Sequence, residues 1–399
     1  MTQHKDNAPK AAVPLTQARE RWLLWVLLFG NFVVGTGILL PAGMLSTLAA
    51  GLDVSLPVAG NLMLASGFVV AVGAPLIAAF TSRVDRRTML VAALAIFVVT
   101  HVAAAFAPDY ETLMLARVLM AVAAAIFTPQ AAATVGALLP PERRARAITM
   151  IFVGWSLATV GGMPLGGYVA HAFGWRAALA IVAGLSAVCA VALSVTVPKG
   201  VRIPRLSAAS WVSVATNPAL LLVLLVTVLN GTGQFTVFTY LNPSLKMSLA
   251  AGAGLLTFVL AWYGIAATLG NILASRVISR FGPARSALVA LLGMAVGLAI
   301  WGAGAGILWV VLIAATLWGL GTFATNSIQQ ARLAGLAPDL TSAAIALNTS
   351  AIYLGQAFGS GLGGLLIDQG ALVHLPWTGA AILLAAAMVS VIAMRWERY

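Results

Sequence analysis

Long apolar runs alternate with short polar breaks along almost the whole chain. A helix that crosses a membrane needs about 20 mostly apolar residues. Twelve runs of that kind can be marked, at 22–44, 57–80, 88–107, 112–139, 147–170, 176–197, 218–241, 253–276, 285–305, 307–330, 343–367 and 375–395. The ninth and tenth are separated only by GAGAGI, Gly302 to Ile307, with no charge at the turn. Runs this long and continuous predict helices. The strands of a membrane barrel would show short segments of strict alternation instead.

Composition agrees with lipid as the solvent of this chain. Apolar residues make up 61% and charged residues 8%, against roughly 25% charged in a soluble domain. The net charge of +12 would point to nucleic acid in a soluble protein. Here the charges sit in short pieces between the runs, so they report topology and no nucleic-acid partner is expected. Of the 22 Lys and Arg residues, all but Arg117, Arg176 and Lys246 fall on one side of a twelve-span arrangement. The positive-inside rule then places both termini in the cytoplasm, with the lipid bilayer of a bacterial inner membrane as surroundings. The polar start, MTQHKDNAPKAAVPLTQARER, lacks an apolar core followed by a cleavage site and reads as a cytoplasmic tail rather than a secretory signal. The single cysteine, Cys189, lies inside an apolar run and forms no disulfide framework.

The second half of the chain repeats features of the first. SRVDRRTMLV from Ser82 and SRFGPARSALV from Ser279 both follow the second span of a six-span half. Span 5 carries GGMPLGGY and span 11, its counterpart, carries GQAFGSGLGG. Gly162 and Gly166, with Pro164 between them, and Gly355, Gly359 and Gly363 place small residues four apart, the spacing that lets helices approach closely in lipid. The longest polar connection, Pro198 to Pro218, lies at the midpoint. Two similar six-helix halves joined at the centre are a transporter design with the substrate between the halves. The expected fold is all-α and integral to the membrane, with twelve transmembrane helices in two pseudo-symmetric six-helix bundles. Its parts are an N-tail at 1–21, a first bundle at 22–197, a central cytoplasmic loop at 198–217, a second bundle at 218–395 and a C-tail at 396–399.

On these residues the chain resembles the major facilitator superfamily over essentially its whole length. The resemblance is nearest to the bacterial drug and sugar exporters of the twelve-span proton-antiporter group, including the arabinose-efflux-like proteins. That group has a loop between spans 2 and 3 of the form Gly-x-Leu-Ala-Asp-Arg-x-Gly-Arg-Arg. AAFTSRVDRR fills it, with Arg83, Arg86 and Arg87 matching, while Ala78, Ser82 and Asp85 stand where the family has Gly, Asp and Gly. The span 4 pattern Arg-x-x-Gln-Gly appears as RVLMA, keeping Arg117, and a later Pro is kept as Pro129. GGMPLGG resembles the exporter motif of span 5, and FGWRAAL from Phe173 is a further family feature. The resemblance implies a cytoplasmic gate at Ser82, Arg83, Asp85, Arg86 and Arg87, with Arg280 in the second half. It also implies proton antiport, and many family antiporters carry an acid in span 1 where this chain has Ile38.

Ionisable residues inside spans are the first functional candidates. Arg117 lies six residues past Glu111, roughly 9 Å along a helix. It either serves a cavity or helix interface, or snorkels outward and pairs with Asp109 or Glu111. His101 has the intrinsic pKa of a proton switch but stands alone, as a structural histidine would. No Asp or Glu falls clearly within a span, so proton coupling has only His101 and the loop residue Asp53 as candidates. Uncharged polar residues are more plentiful: Asn31, Gln130, Asn230, Gln234, Tyr263, Asn326, Gln330, Asn348 and Gln356. In lipid such groups face protein or a watery cavity, and as a set with Arg117 they predict a modestly polar site for neutral or amphipathic cargo.

These features predict a secondary active transporter that exports a small drug- or sugar-like molecule by alternating access, as a monomer with protons as the second partner. An uncoupled facilitator or importer of the same fold is the alternative. A membrane-embedded enzyme would need clustered chemistry at a membrane face. His4, His101, His171 and His374 are scattered, so no catalytic residues, metal or cofactor are expected. A pore would repeat a filter loop or charged ring, and nucleotide-driven transport would need a phosphate-binding loop. Neither pattern is present.

Overall fold

The computed structural model describes residues 16–80, 84–201, 208–304 and 306–397. Twelve helices in it are long and apolar enough to cross a membrane. Span 1 is Gln17–Gly43, span 2 Leu56–Phe80, span 3 Arg86–Ala105, span 4 Tyr110–Leu138 and span 6 Trp175–Thr196. Span 5 runs from Pro141–Leu157 through a wide turn at Ala158–Gly162 into Met163–Phe173. Span 7 is Pro218–Phe238, span 8 Ala253–Phe281, span 9 Pro283–Gly304, span 10 Leu308–Leu336, span 11 Thr341–Asp368 and span 12 Leu375–Trp396. Short helices at Leu45–Gly51, Ala208–Ala215 and Leu241–Leu249 lie in connections. No strand occurs among the described residues.

Local chemistry sets the helix ends. Asp85 and Asp109 cap spans 3 and 4 by accepting from Thr88 N–H and Thr112 N–H at 3.2 and 2.8 Å, which satisfies donors that have no intrahelical partner. Asn217 does the same for span 7. Gly174, at φ +87°, turns the chain between spans 5 and 6 in one residue, a conformation that a β-carbon would disfavour.

Several helices outlast their apolar windows on the side of the termini. Span 5 begins at Pro141, span 8 continues to Phe281 and span 10 to Leu336. Hydropathy marks the thickness of hydrocarbon, whereas ERRARA and QQARLAGL keep good helix formers beyond it. Arg332, read from sequence as a loop charge that reports topology, therefore lies on span 10 and is buried.

The packing follows the internal repeat. Span 1 lies against spans 5 and 6, as span 7 lies against spans 11 and 12. Span 2 packs on span 4 as span 8 packs on span 10, and span 3 packs on span 6 as span 9 packs on span 12. Across the bundles, span 2 meets span 11 and span 5 meets span 8, again counterparts. Glycines make these contacts close. A Cβ on Gly162 or Gly166 would run into Thr36 or Leu40 of span 1. A Cβ on Gly355, Gly359 or Gly363 would come within 2.7–2.8 Å of Gly231, Thr236 N or Thr236 O of span 7. Water drives no helix association within lipid, so such van der Waals contact holds the bundles.

The wide turn in span 5 has an identifiable cause. Pro164 has no N–H and its ring crowds the carbonyl one turn back, and an inserted residue relieves the clash as a π-bulge. The bulge meets the other bundle, since a Cβ on Gly264 of span 8 would lie 2.7 Å from Val160 Cα and 2.8 Å from Thr159 O.

Candidate functional site

Three groups of polar side chains concern the expected site: one inside each bundle and one across the seam between them. In the first bundle the centre is Arg117, two turns into span 4 and only 2% exposed. Its Nη1 donates to Gly37 O at 2.7 Å, and its Nη2 to Ile38 O and Ser66 Oγ, both at 3.2 Å. The reason lies four residues beyond Gly37. Pro41 is inside span 1 and has no N–H to bond the Gly37 carbonyl. Arg117 fills that vacancy from a neighbouring helix. It pairs with neither Asp109, which caps its own helix, nor Glu111 in the first turn.

His101 reaches the same stretch of span 1. Its Nδ1 lies 2.8 Å from Phe97 O, and its ring sits 4.3 Å from that of Phe97. Gly37 is pressed against it, because a Cβ there would meet Phe97 Cζ at 2.7 Å and His101 Nε2 at 2.9 Å. His101 Nε2 and Arg117 Nε have no hydrogen-bond partner within the protein. Two nitrogen-bearing side chains thus converge on Gly37.

The second bundle holds an uncharged network. Thr227 of span 7 donates to Asn348 Oδ1 of span 11 at 2.8 Å, and Asn348 donates to Asn326 Oδ1 of span 10 at 3.4 Å. Gln330 also donates to Asn326, at 3.2 Å. Gln329 donates to Val223 O at 3.1 Å, and Asn230 to Thr325 Oγ1 at 3.1 Å. Asn230 Oδ1 accepts no hydrogen bond within the protein. Gln234 is buried one turn beyond Asn230 on span 7. Amides and hydroxyls can each donate and accept, so this cluster can exchange its internal bonds for those of a neutral polar molecule. Tyr263, beside it, bonds Thr322 at 2.9 Å and packs against Trp318, with ring centroids 4.6 Å apart and planes tilted by 49°.

The seam carries the third group. Asn242, on the helix after span 7, donates to Gly43 O at 3.0 Å and accepts from Ser46 Oγ at 3.0 Å. Gln356 of span 11 donates to Met63 O of span 2 at 3.3 Å. Among the described residues these are the side-chain hydrogen bonds between the bundles. All of them lie in the half of the molecule away from the termini.

The structure separates the expected site residues. Arg117, Asn230, Asn326, Gln330 and Asn348 join the two clusters, and Gln356 belongs to the seam. Asn31 is fully buried against span 5. Its Nδ2 returns to Leu27 O at 3.2 Å, and a Cβ on Gly154 of span 5 would touch its Cβ at 2.9 Å. Gln130 accepts from Arg86 at the start of span 3. Asp53 is exposed on a turn at φ +54°, outside every span and apart from His101.

Of the expected gate, Ser82 and Arg83 lie outside the described residues. Asp85 Oδ1 accepts from Gly200 N–H at 2.6 Å, and Arg86 N–H donates to Val201 O at 3.0 Å. The loop between spans 2 and 3 thereby fastens the start of the central connection. Arg87 is half-buried, and Arg280 is exposed in the last turn of span 8, its guanidinium 5.3 Å from the Phe281 ring. Thr227, Thr325, Gln329, Ser66, Ser46 and Asn242 went unmarked in the sequence. The first three follow the helical spacing of the amides beside them, and that was the available signal.

Repeat packing with counterpart helices across the seam is matched by comparison with known proteins. The family model described as Major Facilitator Superfamily matches residues 27–258 and 223–399. The chain belongs to the major facilitator superfamily. It is 33% identical over 354 residues to "Inner membrane transport protein YdhP" of Escherichia coli (strain K12), covering 87% of this chain and 89% of that one. It is 28% identical over 368 residues to "Probable sugar efflux transporter" of Mannheimia succiniciproducens, covering 91% of each. Among solved structures, the peptide transporter POT in complex with sulfate matches with a TM-score of 0.80 at 14% identity, over 97% of this chain and 98% of that one. The superfamily transporter is therefore an integral inner-membrane protein that carries small molecules, and it is not an enzyme.

Proposed function

We propose that this transporter exports a small, neutral, polyhydroxylated or amphipathic molecule by alternating access. The observation that carries this reading is the chemistry of the two clusters. The cluster in the second bundle offers only amides and hydroxyls, and the cluster in the first offers one arginine held by two carbonyls and a hydroxyl beside His101. Every acidic residue described lies in a connection or in the first or last turn of a helix. A site without a carboxylate has little to hold a cation, whereas amides suit hydroxyl groups. The names of the sugar efflux relatives agree with this cargo class.

The cycle follows from the seam. Residues 22–197 and 218–395 act as the two moving bodies, joined by 198–217. The basic residues flanking the spans support a cytoplasmic position for both termini. On that orientation the Asn242 contacts close the outer face, which supports reading this state as inward-facing. Outward opening requires those hydrogen bonds to break while the small-residue contacts of spans 2 and 11, and of spans 5 and 8, act as the pivot. Each chain holds both bodies, so a monomer completes the cycle.

We also propose that export is coupled to proton entry, with His101 as the titrating group. Support comes from its unpartnered Nε2 beside Arg117 and the Gly37 backbone. The absence of a mid-span carboxylate favours a second reading, an uncoupled facilitator.

Proteoliposomes containing a pH-sensitive dye decide between them. Addition of neutral sugars and amphipathic compounds should give substrate-dependent lumenal pH change that His101→Gln abolishes. Uptake of a compound with no pH change would establish the facilitator, and transport confined to organic cations would overturn the cargo class.

A further inference from the structure

Spans 3 and 6 pack together on the outside of the first bundle, and an apolar groove of about 260 Å³ runs between them. Val98, Val102 and Phe106 form one wall, and Ala180, Ala183 and Gly184 form the other. The residues from 98 to 106 extend it by roughly 12 Å of helix. Its floor is open, since a Cβ built on Gly184 meets nothing within 4 Å. Carbon next to an empty groove forfeits its dispersion contacts, so in a bilayer this groove has an occupant.

Arg176 identifies it. This residue lies one turn before Ala180 on the same helix, at the end of the groove away from the termini. Its Nη2 donates to Ala107 O at 2.8 Å, and its guanidinium stacks 4.1 Å above the Trp175 ring. The side chain is thus fixed over the mouth yet remains exposed. A guanidinium has five N–H donors in a fork that matches phosphate. The connection that holds Arg176 also carries Asp109, exposed two residues past Ala107, and Glu111 follows, exposed, in the first turn of span 4. The mouth therefore presents both signs of charge, which suits a headgroup with a phosphate and an ammonium.

We propose that this groove is a phospholipid site, with an acyl chain between spans 3 and 6 and the phosphate of an ethanolamine-type headgroup on Arg176. A helix from a second copy would cover the arginine without supplying a phosphate.

The experiment is native mass spectrometry of the full chain released from nanodiscs of equal phosphatidylethanolamine, phosphatidylglycerol and digalactosyl diacylglycerol. The wild type should retain phosphatidylethanolamine in preference to the other two. Arg176→Gln should lose that preference. Gly184→Leu should lose the retained lipid, because its side chain occupies the groove from a position where the Cβ meets nothing within 4 Å. Gly293→Leu, at an equally open position on span 9, should keep it. Equal retention of the three lipids by the wild type, retention unchanged in Gly184→Leu, or a wild-type dimer that Gly184→Leu dissociates would each overturn the proposal.

Discussion

Arg117 completes a hydrogen bond that Pro41 leaves open. Its Nη1 lies 2.7 Å from Gly37 O, the carbonyl that residue 41 would bond if it had an N–H. A kinked span 1 and a buried cation in span 4 are thus one device. Arg117→Ala removes the donors and leaves a buried carbonyl unsatisfied, a loss of about 1–3 kcal/mol. Pro41→Ala restores the backbone donor. The damage from Arg117→Ala should therefore be smaller in a Pro41→Ala background. Thermal unfolding of the four proteins in detergent gives this double-mutant cycle, and strict additivity would break the link.

The seam gives a prediction about populations. Asn242→Ala deletes two hydrogen bonds, each contributing about 0.5–1.5 kcal/mol, in the state where they form. The balance between the two states should move toward outer opening by on the order of tenfold. Spin labels at Ser55 and Met247, both exposed on that face, would report it as a growing long-distance population. Identical distance distributions in wild type and variant would remove Asn242 from the gate.

The span pattern could be read from sequence because hydrocarbon thickness imposes a window that few polar residues may enter. Helix ends could not, since Arg332 and its neighbours keep forming helix after lipid stops. Asn326 and Gln330 were visible as a pair one turn apart, but their link to Thr227 through Asn348 joins three helices. The partners of Arg117 were hidden for a different reason. They are backbone carbonyls, and a proline four residues later was the one trace they left. Asp85 and Gly200 meet across 115 residues of chain, with nothing in either segment to announce it.

Asp109 gives a pH dependence outside the membrane. Hydrogen bonds from Thr112 N–H and its hydroxyl hold the carboxyl below its usual range. A carboxyl depressed by folding stabilises above its unfolded pKa of about 3.9 and loses that contribution as pH falls through the folded value. The Tm difference between wild type and Asp109→Ala should be constant near neutrality and shrink in acid. A difference that widened as pH fell would have the wrong sign for a cap.

The glycines of span 11 predict position-specific damage. Gly359→Leu places carbon 2.8 Å or less from the span 7 backbone at Thr236 N. Overpacking of this kind costs about 1–3 kcal/mol, and it would pry apart the helices that carry Thr227 and Asn348. Stability and transport should fall together. Gly293→Leu, whose Cβ would meet nothing within 4 Å, should leave both unchanged. Comparable losses in the two variants would mean that leucine itself, rather than the span 7 contact, does the harm.

Arg332 is the buried cation of the second bundle, and it ties span 10 to the end of span 12. Its Nε donates to Glu397 at 2.5 Å, and its Nη1 and Nη2 donate to Ser390 Oγ and O at 2.9 and 3.1 Å. Glu397→Ala leaves the guanidinium with Ser390 but without a counter-charge. Losing a hydrogen bond between charged groups costs about 1.5–3 kcal/mol, and an unpaired buried charge adds to that. Removing the cation as well should be gentler, because an apolar pair of similar volume needs no desolvated charge. Arg332→Leu combined with Glu397→Ala should therefore unfold at a higher temperature than Glu397→Ala alone. If the double variant is the less stable of the two, the pair is held by packing of the arginine stem rather than by its charge.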